Sequence, residues 1–194
     1  MSYRYRRAHG WTAVLILLIS IGFTYAEQQG WFDSAGKQLE ANQPGLYKID
    51  HFIDGDTIAV NMNGQVEDIR FVGVDTPETH KPNTPVECYG PAAAAFTKSQ
   101  IGNQRVRLVS DSLSTDRDRY GRLLRYVYLP DGTNLDQRLI EQGYGFYYPY
   151  FPFSKAHQFK VAEKQAIAAH RGLWGNCHPT PTDDGGYVMN EPAQ

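Results

Sequence analysis

The chain has 194 residues, which is enough for one domain of ordinary size with short extensions. Hydrophobic residues make up 41% and charged residues 21%, a balance that excludes a disordered chain. Residues 1–26 hold three arginines and no acid, so the remainder carries 16 basic against 21 acidic residues, a net charge of −5. Electrostatic binding of nucleic acid over the whole surface is therefore excluded. Local binding stays open, because residues 98–128 have a net charge of +4, although such a run is also typical of a solvated face.

The N-terminal segment, residues 1–26, is typical of an export signal. A basic stretch at residues 3–7 precedes an apolar run of 13 residues, Trp11–Phe23, which suits a signal peptide and is short for a membrane-spanning helix. Residues 24–26 (Thr-Tyr-Ala) offer a cleavage site. We therefore expect an exported protein, either secreted after cleavage or anchored in the membrane through uncleaved residues 11–26.

Composition divides the remaining chain into three parts. Residues 27–44 are polar and show no sustained period, which predicts a linker. Residues 179–194 are rich in proline, glycine and acidic residues, which predicts a disordered tail. The folded domain is expected to span residues 45–178 and to act as a monomer.

Strand patterns come first in this domain, and helices lie among the later ones. Expected strands are 46–52, 57–62, 66–74, 105–109 and 123–129. Expected helices are 91–101, a short helix opened by residues 133–136 and ended by Gly143, and 154–171, capped by Ser154. Asn63-Gly64 is a strong hairpin signal between the second and third strands. This order predicts an α+β, mainly β fold: a five-stranded OB-fold barrel with three α-helices.

Oxygen ligands cluster near the first turns of the domain. Asp56 lies where a turn meets a strand and can project into a cleft. Asp75 and Glu78 flank Thr76-Pro77, where the proline stiffens the chain and fixes the direction of the Thr76 carbonyl. An all-oxygen site of this kind suits a hard cation such as calcium better than zinc.

Two arginines are candidates for anion binding. Arg70 lies in an apolar strand, where a charged side chain is costly unless its head reaches water or an anion. Arg122 follows Tyr-Gly and opens a strand, so it can point inward. A salt-bridged loop is the alternative for this segment, and it is the favoured interpretation for Arg117 and Arg119.

The chain has two cysteines, Cys88 and Cys177. Two cysteines cannot supply a four-ligand zinc site. In an exported protein they predict a disulfide with Cα atoms about 4.4–6.8 Å apart, and two free thiols are the alternative. Such a bridge would stabilise the domain without taking part in chemistry.

Four short segments occur in order along the domain: Ile53-Asp-Gly-Asp-Thr57, Arg70 ahead of Val74-Asp-Thr-Pro-Glu-Thr79, Tyr89-Gly-Pro91 and Arg119-Tyr-Gly-Arg122. With these segments the sequence resembles the staphylococcal nuclease (thermonuclease-like) family over roughly residues 45–176. The resemblance implies a calcium-dependent nuclease that hydrolyses phosphodiester bonds of DNA or RNA endonucleolytically and leaves 3′-phosphate ends. The alternative is a non-catalytic OB-fold module that binds nucleic acid or protein at the cell surface.

The resemblance also implies roles for individual residues. The calcium ligands would be Asp56, Asp75 and the carbonyl of Thr76. The catalytic residues would be Arg70, Glu78 and Arg122. Tyr148 and Tyr150 would lie beside the bound nucleotide, with Tyr148 able to stack on a base. The loop 79–86 departs from the family pattern, because it holds one lysine where several are expected, and this argues against tight binding of long nucleic acid.

Overall fold

The computed structural model describes Ser20 and residues 45–80 and 85–193. Apart from Ser20, the predicted export signal and the predicted linker lie outside the described residues. Within the part that is described, no helix has the length and apolar character that crossing a membrane requires.

Five strands of the described chain close into a barrel. The barrel strands are β1 (Leu46–Phe52), β2 (Thr57–Met62), β3 (Gln65–Phe71), β5 (Arg105–Val109) and β6 (Leu123–Tyr128). The shorter strands of two-stranded sheets are β4 (Val74–Asp75), β7 (Phe146–Tyr147), β8 (Thr180–Pro181) and β9 (Tyr187–Val188). The barrel order is β1-β2-β3-β6-β5, and its neighbours are antiparallel except for the parallel pair β3 and β6. The predicted five-stranded OB-fold barrel is confirmed.

The barrel interior is filled by branched aliphatic side chains. Ile58, Val60, Ile69, Val106 and Val127 are all fully buried there. Burial of one such side chain contributes about 1.5–3 kcal/mol, so a few of them outweigh any single polar contact in the domain. The barrel is therefore a rigid base for the loops at its rim.

Helices pack against one another and against strands of the sheets. They are α1 (Gly90–Ile101), α2 (Leu135–Glu141), α3 (Ala156–Ala168) and a single turn, α4 (Leu173–Asn176). Asn134 caps α2 by accepting a hydrogen bond from the amide of Gln137 at 2.8 Å. α2 packs against α3. The three longer helices, α1 to α3, correspond to the three predicted helices.

The predicted start of the last long helix is wrong. Ser154 does not cap α3, which begins at Ala156 after Lys155. The amide of Ser154 donates instead to the Asp111 carboxylate at 2.8 Å, and the Ser154 hydroxyl donates to the same oxygen. Because this buried carboxylate takes both donors of Ser154, the serine fastens the helix entrance to the barrel rather than to the helix backbone.

The predicted third strand is broken at Gly73. β3 ends at Phe71, and Gly73 has a φ of +72°, a conformation that favours glycine. A Cβ at Gly73 would lie 2.3 Å from the ring of Phe153, so the close packing there also requires glycine. The chain turns at this point, and β4 pairs with β7 outside the barrel. This corner carries Asp75 away from the barrel wall.

The tail predicted to be disordered is instead packed on the domain, as far as residue 193. β8 and β9 form a small antiparallel sheet. Tyr187 packs edge-on against Trp174 with ring centroids 4.8 Å apart, and Met189 is 4% exposed. The segment is polar in composition, but the side chains of Tyr187 and Met189 pack on the domain and hold the segment in place. We name residues 178–193 the C-terminal strap.

A disulfide and two backbone hydrogen bonds join the region of the strap to the start of α1. Cys88 and Cys177 are bonded, with Cα atoms 6.2 Å apart, which confirms the predicted bridge. The amide of Cys88 donates to the carbonyl of Glu191 at 2.7 Å, and the amide of Ala193 donates to the carbonyl of Val86 at 2.7 Å. Residues 86–88 are thus held from the other end of the domain.

Candidate active site

Arg70 lies at the centre of the candidate site. From the end region of β3, its Nη1 donates to the carbonyls of Val74 at 2.6 Å and Phe71 at 3.0 Å. Its Nη2 lies 2.6 Å from Asp75 Oδ1 and 3.2 Å from Asp56 Oδ2. A guanidinium offers five N–H donors in a fixed plane, so these contacts fix its orientation. The arginine in an apolar strand is thus explained by two carboxylates and two carbonyls at the strand end.

Asp56 is held from several directions. Its Oδ2 accepts hydrogen bonds from the amide of Thr76 at 2.7 Å and from the Thr76 hydroxyl at 3.1 Å. Its Oδ1 accepts from the hydroxyl of Thr57 at 2.9 Å. A side chain that is 5% exposed and so bonded cannot move freely. Asp56 therefore fixes the corner that carries Asp75 and Thr76.

The carboxylates exceed the positive charge beside them. Burial raises the pKa of Asp75, Arg70 lowers it, and Asp56, Glu78 and Glu87 raise it further, with the net result above the usual value. Burial works to lower the pKa of Arg70, but Asp56 and Asp75 raise it overall. Four carboxylates therefore act on one site with a single central arginine.

This excess of negative charge fits a hard cation. Asp56 Oδ2 and Asp75 Oδ1 approach the same nitrogen of Arg70, so their oxygens converge. No cluster of three or more histidine, cysteine or acidic side chains with metal-binding geometry occurs among the described residues. A cation here would thus be bound by two carboxylates with a carbonyl, such as that of Thr76, and with water, as calcium permits.

Glu78 lies within electrostatic reach of this pair. Its charge raises the pKa of both Arg70 and Asp75. Its backbone is held on both sides by Glu87: the Glu78 amide donates to Glu87 Oε2 at 2.8 Å, and the Glu87 amide donates to the Glu78 carbonyl at 2.9 Å. Glu78 therefore has a fixed backbone beside the carboxylate cluster.

Arg122 belongs to a separate loop. Its Nε donates to Asp118 Oδ2 at 2.7 Å, and its guanidinium lies 5.4 Å from the centre of the Tyr120 ring. The described contacts of Arg122 stay within this loop, so they do not join it to Arg70. Arg119 of the same loop acts on the site only at a distance: its charge works to lower the pKa of Tyr148, against the larger effect of burial.

Aromatic rings line the other side of Arg70. The Tyr148 ring centre is 5.9 Å from the Arg70 guanidinium and 4.9 Å from the ring of Tyr150. Phe151 lies 5.9 Å from Tyr148 and is 62% exposed. The Tyr150 hydroxyl donates to Thr182 of the C-terminal strap at 3.0 Å, which fastens this aromatic loop. Accessible rings beside a guanidinium suit a nucleotide base next to its phosphate.

Comparisons with known proteins identify the family of this chain. The family model described as staphylococcal nuclease homologue matches residues 68–176, more than half of the chain. The chain belongs to the staphylococcal nuclease family. It is 39% identical to the thermonuclease of Staphylococcus hyicus over 171 residues, which is 86% of this chain and 96% of that protein. It is 40% identical to the thermonuclease of Staphylococcus intermedius over 167 residues, 84% of this chain and 96% of that protein.

A third relative extends the comparison beyond the staphylococci. Endonuclease YncB of Bacillus subtilis (strain 168) is 37% identical to this member of the staphylococcal nuclease family over 160 residues. The match covers 80% of this chain and 71% of that protein.

Two acidic residues of this staphylococcal nuclease family member were not predicted from the sequence. Glu87 lies next to the matched Tyr89-Gly-Pro91 segment, and that position was its only signal. Asp136 in α2 is fully buried, and burial raises its pKa to about 8 although backbone amides oppose the shift. Its oxygens accept from the amides of Val72 at 3.0 Å and Val127 at 2.8 Å. Nothing in the sequence around Asp136 indicates either of these two hydrogen bonds.

Proposed function

We propose that this chain is an exported, calcium-dependent endonuclease that cleaves DNA or RNA and leaves 3′-phosphate ends. Family membership supports the general part of this proposal: the chain is a hydrolase of phosphodiester bonds, and nucleic acid is its substrate. The observation that carries the proposal is the convergence of Asp56 and Asp75 on Arg70, beside the Tyr148 ring. The polarity of the products rests on the resemblance to the family.

Charge stabilisation is the main task in this reaction. Attack on a phosphodiester gathers negative charge on the phosphoryl oxygens, so fixed positive groups lower the barrier. Arg70 supplies a planar guanidinium whose orientation the carbonyls of Phe71 and Val74 maintain. We propose that Arg122 supplies a second guanidinium from the loop in which it is paired with Asp118. Bound calcium would add Lewis-acid polarisation of a phosphoryl oxygen.

Glu78 is the candidate for activating water. Its carboxylate charge acts on both Arg70 and Asp75, which supports a role for Glu78 beside these two groups. A carboxylate there can orient the attacking water and accept its proton, a contribution of about 10²–10⁴ in rate. As the new bond between the water oxygen and phosphorus forms, the bond from phosphorus to the 5′ oxygen breaks, and that 5′ oxygen takes a proton from solvent water.

Substrate binding is proposed to be local. Tyr148 and Tyr150 provide rings for a base, since stacking contributes about 1–3 kcal/mol per base. Local binding agrees with the negative net charge of the domain, which does not favour electrostatic binding of the nucleic acid backbone over the whole surface. The Cys88–Cys177 disulfide supports export, because such bridges persist in oxidising compartments. We propose that the protein acts as a monomer, secreted or held at the membrane by residues 11–26.

The cation assignment is tested by digesting a plasmid with calcium, then with excess chelator, and then with magnesium in place of calcium. We expect cleavage with calcium, none in chelator, and much less with magnesium, which demands octahedral geometry. Full activity in chelator would contradict the cation assignment. A folded wild-type protein that binds nucleic acid without cutting it would instead favour the non-catalytic binding module.

The catalytic set is tested by Glu78→Gln, Arg70→Ala and Arg122→Ala. Each is expected to lower turnover by about 10²–10³ while the domain stays folded by circular dichroism. Arg70→Lys is a second variant for that position, because Arg70→Ala also removes donors from two backbone carbonyls. Arg107→Ala is the matched control, since Arg107 lies over the Tyr128 ring on the barrel wall. Near-normal turnover in a folded variant would remove that residue from the set.

A further inference from the structure

Glu87 makes a reciprocal pair of hydrogen bonds with the backbone of Glu78. Its carboxylate oxygen Oε2 accepts from the Glu78 amide at 2.8 Å, and its own amide donates to the Glu78 carbonyl at 2.9 Å. One residue thus holds both polar backbone groups of Glu78.

The segment that carries Glu87 is itself held tightly. The C-terminal strap forms hydrogen bonds on both sides of it, from Cys88 to the Glu191 carbonyl and from Ala193 to the Val86 carbonyl, each at 2.7 Å. The disulfide fixes Cys88 as well. On the other side, a Cβ at Gly90 would lie 2.8 Å from the Glu78 carbonyl oxygen, so α1 begins directly against Glu78.

We propose that Glu87 is a positioning residue for Glu78 and that the C-terminal strap holds Glu87 in register. The proposal rests on the proposed nuclease function, in which Glu78 activates water. A displacement of about 1 Å in a reacting group can cost 10²-fold in rate, so a fixed backbone at Glu78 has a direct catalytic value. Glu87 acts through the Glu78 amide, and the acceptor oxygen rather than the charge is what this role requires.

The test compares Glu87→Ala with Glu87→Gln in the full chain with its disulfide intact. Glutamine keeps an oxygen that can accept from the Glu78 amide, whereas alanine removes it. We measure kcat and KM on a defined oligonucleotide with calcium, together with the thermal midpoint. Glu87→Ala is expected to lower kcat by about 10- to 100-fold, as loss of a supporting partner typically does, with KM changed less than about threefold. Glu87→Gln is expected to recover most of that loss.

Two further variants separate positioning from general stability. Glu141→Ala is the matched control, because Glu141 is another half-buried glutamate and its carboxylate accepts from Gln137 at 2.6 Å within α2. It should leave kcat within about twofold of wild type. Ala193→Pro removes the donor to Val86 without touching Glu87 and should also lower kcat, by a smaller factor. This variant keeps the proposal testable if Glu87→Ala does not fold.

The outcomes are distinguishable. Equal losses in Glu87→Gln and Glu87→Ala would overturn the proposal, because the charge and not the acceptor oxygen would then matter. A Glu87→Ala protein with a lower thermal midpoint and unchanged kcat would also overturn it, since Glu87 would then be only structural. If wild type itself does not cleave the oligonucleotide, the proposed function fails before Glu87 is considered.

Discussion

Removal of the Cys88–Cys177 disulfide should cost several kcal/mol of stability without changing the chemistry. The bridge joins residues 89 positions apart in the sequence. In the chain-entropy model, cross-linking a loop of about 90 residues restricts the unfolded chain by roughly 4–5 kcal/mol at 25 °C. The strap keeps its own backbone hydrogen bonds and its contact between Tyr187 and Trp174, so the folded state should change little.

The assay is urea denaturation of the double variant Cys88→Ser/Cys177→Ser beside the oxidised wild type. We expect the free energy of unfolding to fall by about 3–5 kcal/mol. The slope against urea should rise, because the uncrosslinked chain exposes more surface when it unfolds. Wild type kept in reductant is the control, since it loses the same bond without a change of sequence. Turnover with calcium, measured well below the unfolding midpoint, should stay within about threefold of wild type because neither sulfur contacts Arg70 or its carboxylates.

Two results would refute this reasoning. If the double variant loses less than about 1 kcal/mol, the unfolded chain is already restricted near these residues, and the entropy argument does not apply. If kcat collapses while the domain remains folded, the bridge takes part in shaping the site, beyond stabilising the fold.

Three further predictions concern other positions. Burial works to raise the pKa of Asp111, but five hydrogen bonds outweigh it and lower the pKa to about 2 from 3.8. Ionised Asp111 should therefore contribute about 2 kcal/mol to the free energy of unfolding above pH 4, and this contribution should be lost as the pH falls toward 2. Urea titrations at several pH values should show this loss in the wild type but not in Asp111→Asn. Gly73→Ala should destabilise the domain by about 3 kcal/mol or more, because the new Cβ would clash with Phe153. Gly64→Ala is the control and should cost about 1 kcal/mol, because φ is also positive there but nothing lies within 4 Å. Equal urea midpoints for the two variants would contradict this prediction. Tyr148→Ala should raise KM for a single-stranded oligonucleotide by at least about fivefold at nearly constant kcat, and an unchanged KM would exclude stacking.

The barrel was predictable because its signals are local. Alternating apolar residues in β2 and the Asn63-Gly64 turn, whose φ angles of 59° and 89° fit a hairpin, determine strands and connection without reference to the rest of the chain. The disulfide could be predicted from the expected export and from the presence of two cysteines. The sequence could also predict that Asp56 and Asp75 lie close together, because motif position and residue chemistry agreed, and both carboxylates lie beside Arg70.

The features that were missed depend on distant partners. Ser154 resembles a helix cap, and only the presence of buried Asp111 opposite it redirects its hydrogen bonds. The C-terminal strap has a disordered composition, and its order comes from packing on Trp174 and pairing with residues 86–88. Glu87 acts on Glu78 across nine residues with no periodic pattern. Tertiary contacts of this kind leave no local trace in a sequence.

The carboxylate of Asp136 makes helix α2 part of the sheet. It accepts the amides of Val72 and Val127, which lie where the parallel pair β3 and β6 meets the helix. Hydrogen exchange at Val127 therefore requires that α2 leave the barrel, because a fully buried amide bonded to a side chain is not released by fraying of the strand alone. We therefore expect the exchange rate of this one proton to report whichever opening costs less free energy, undocking of α2 or global unfolding of the domain.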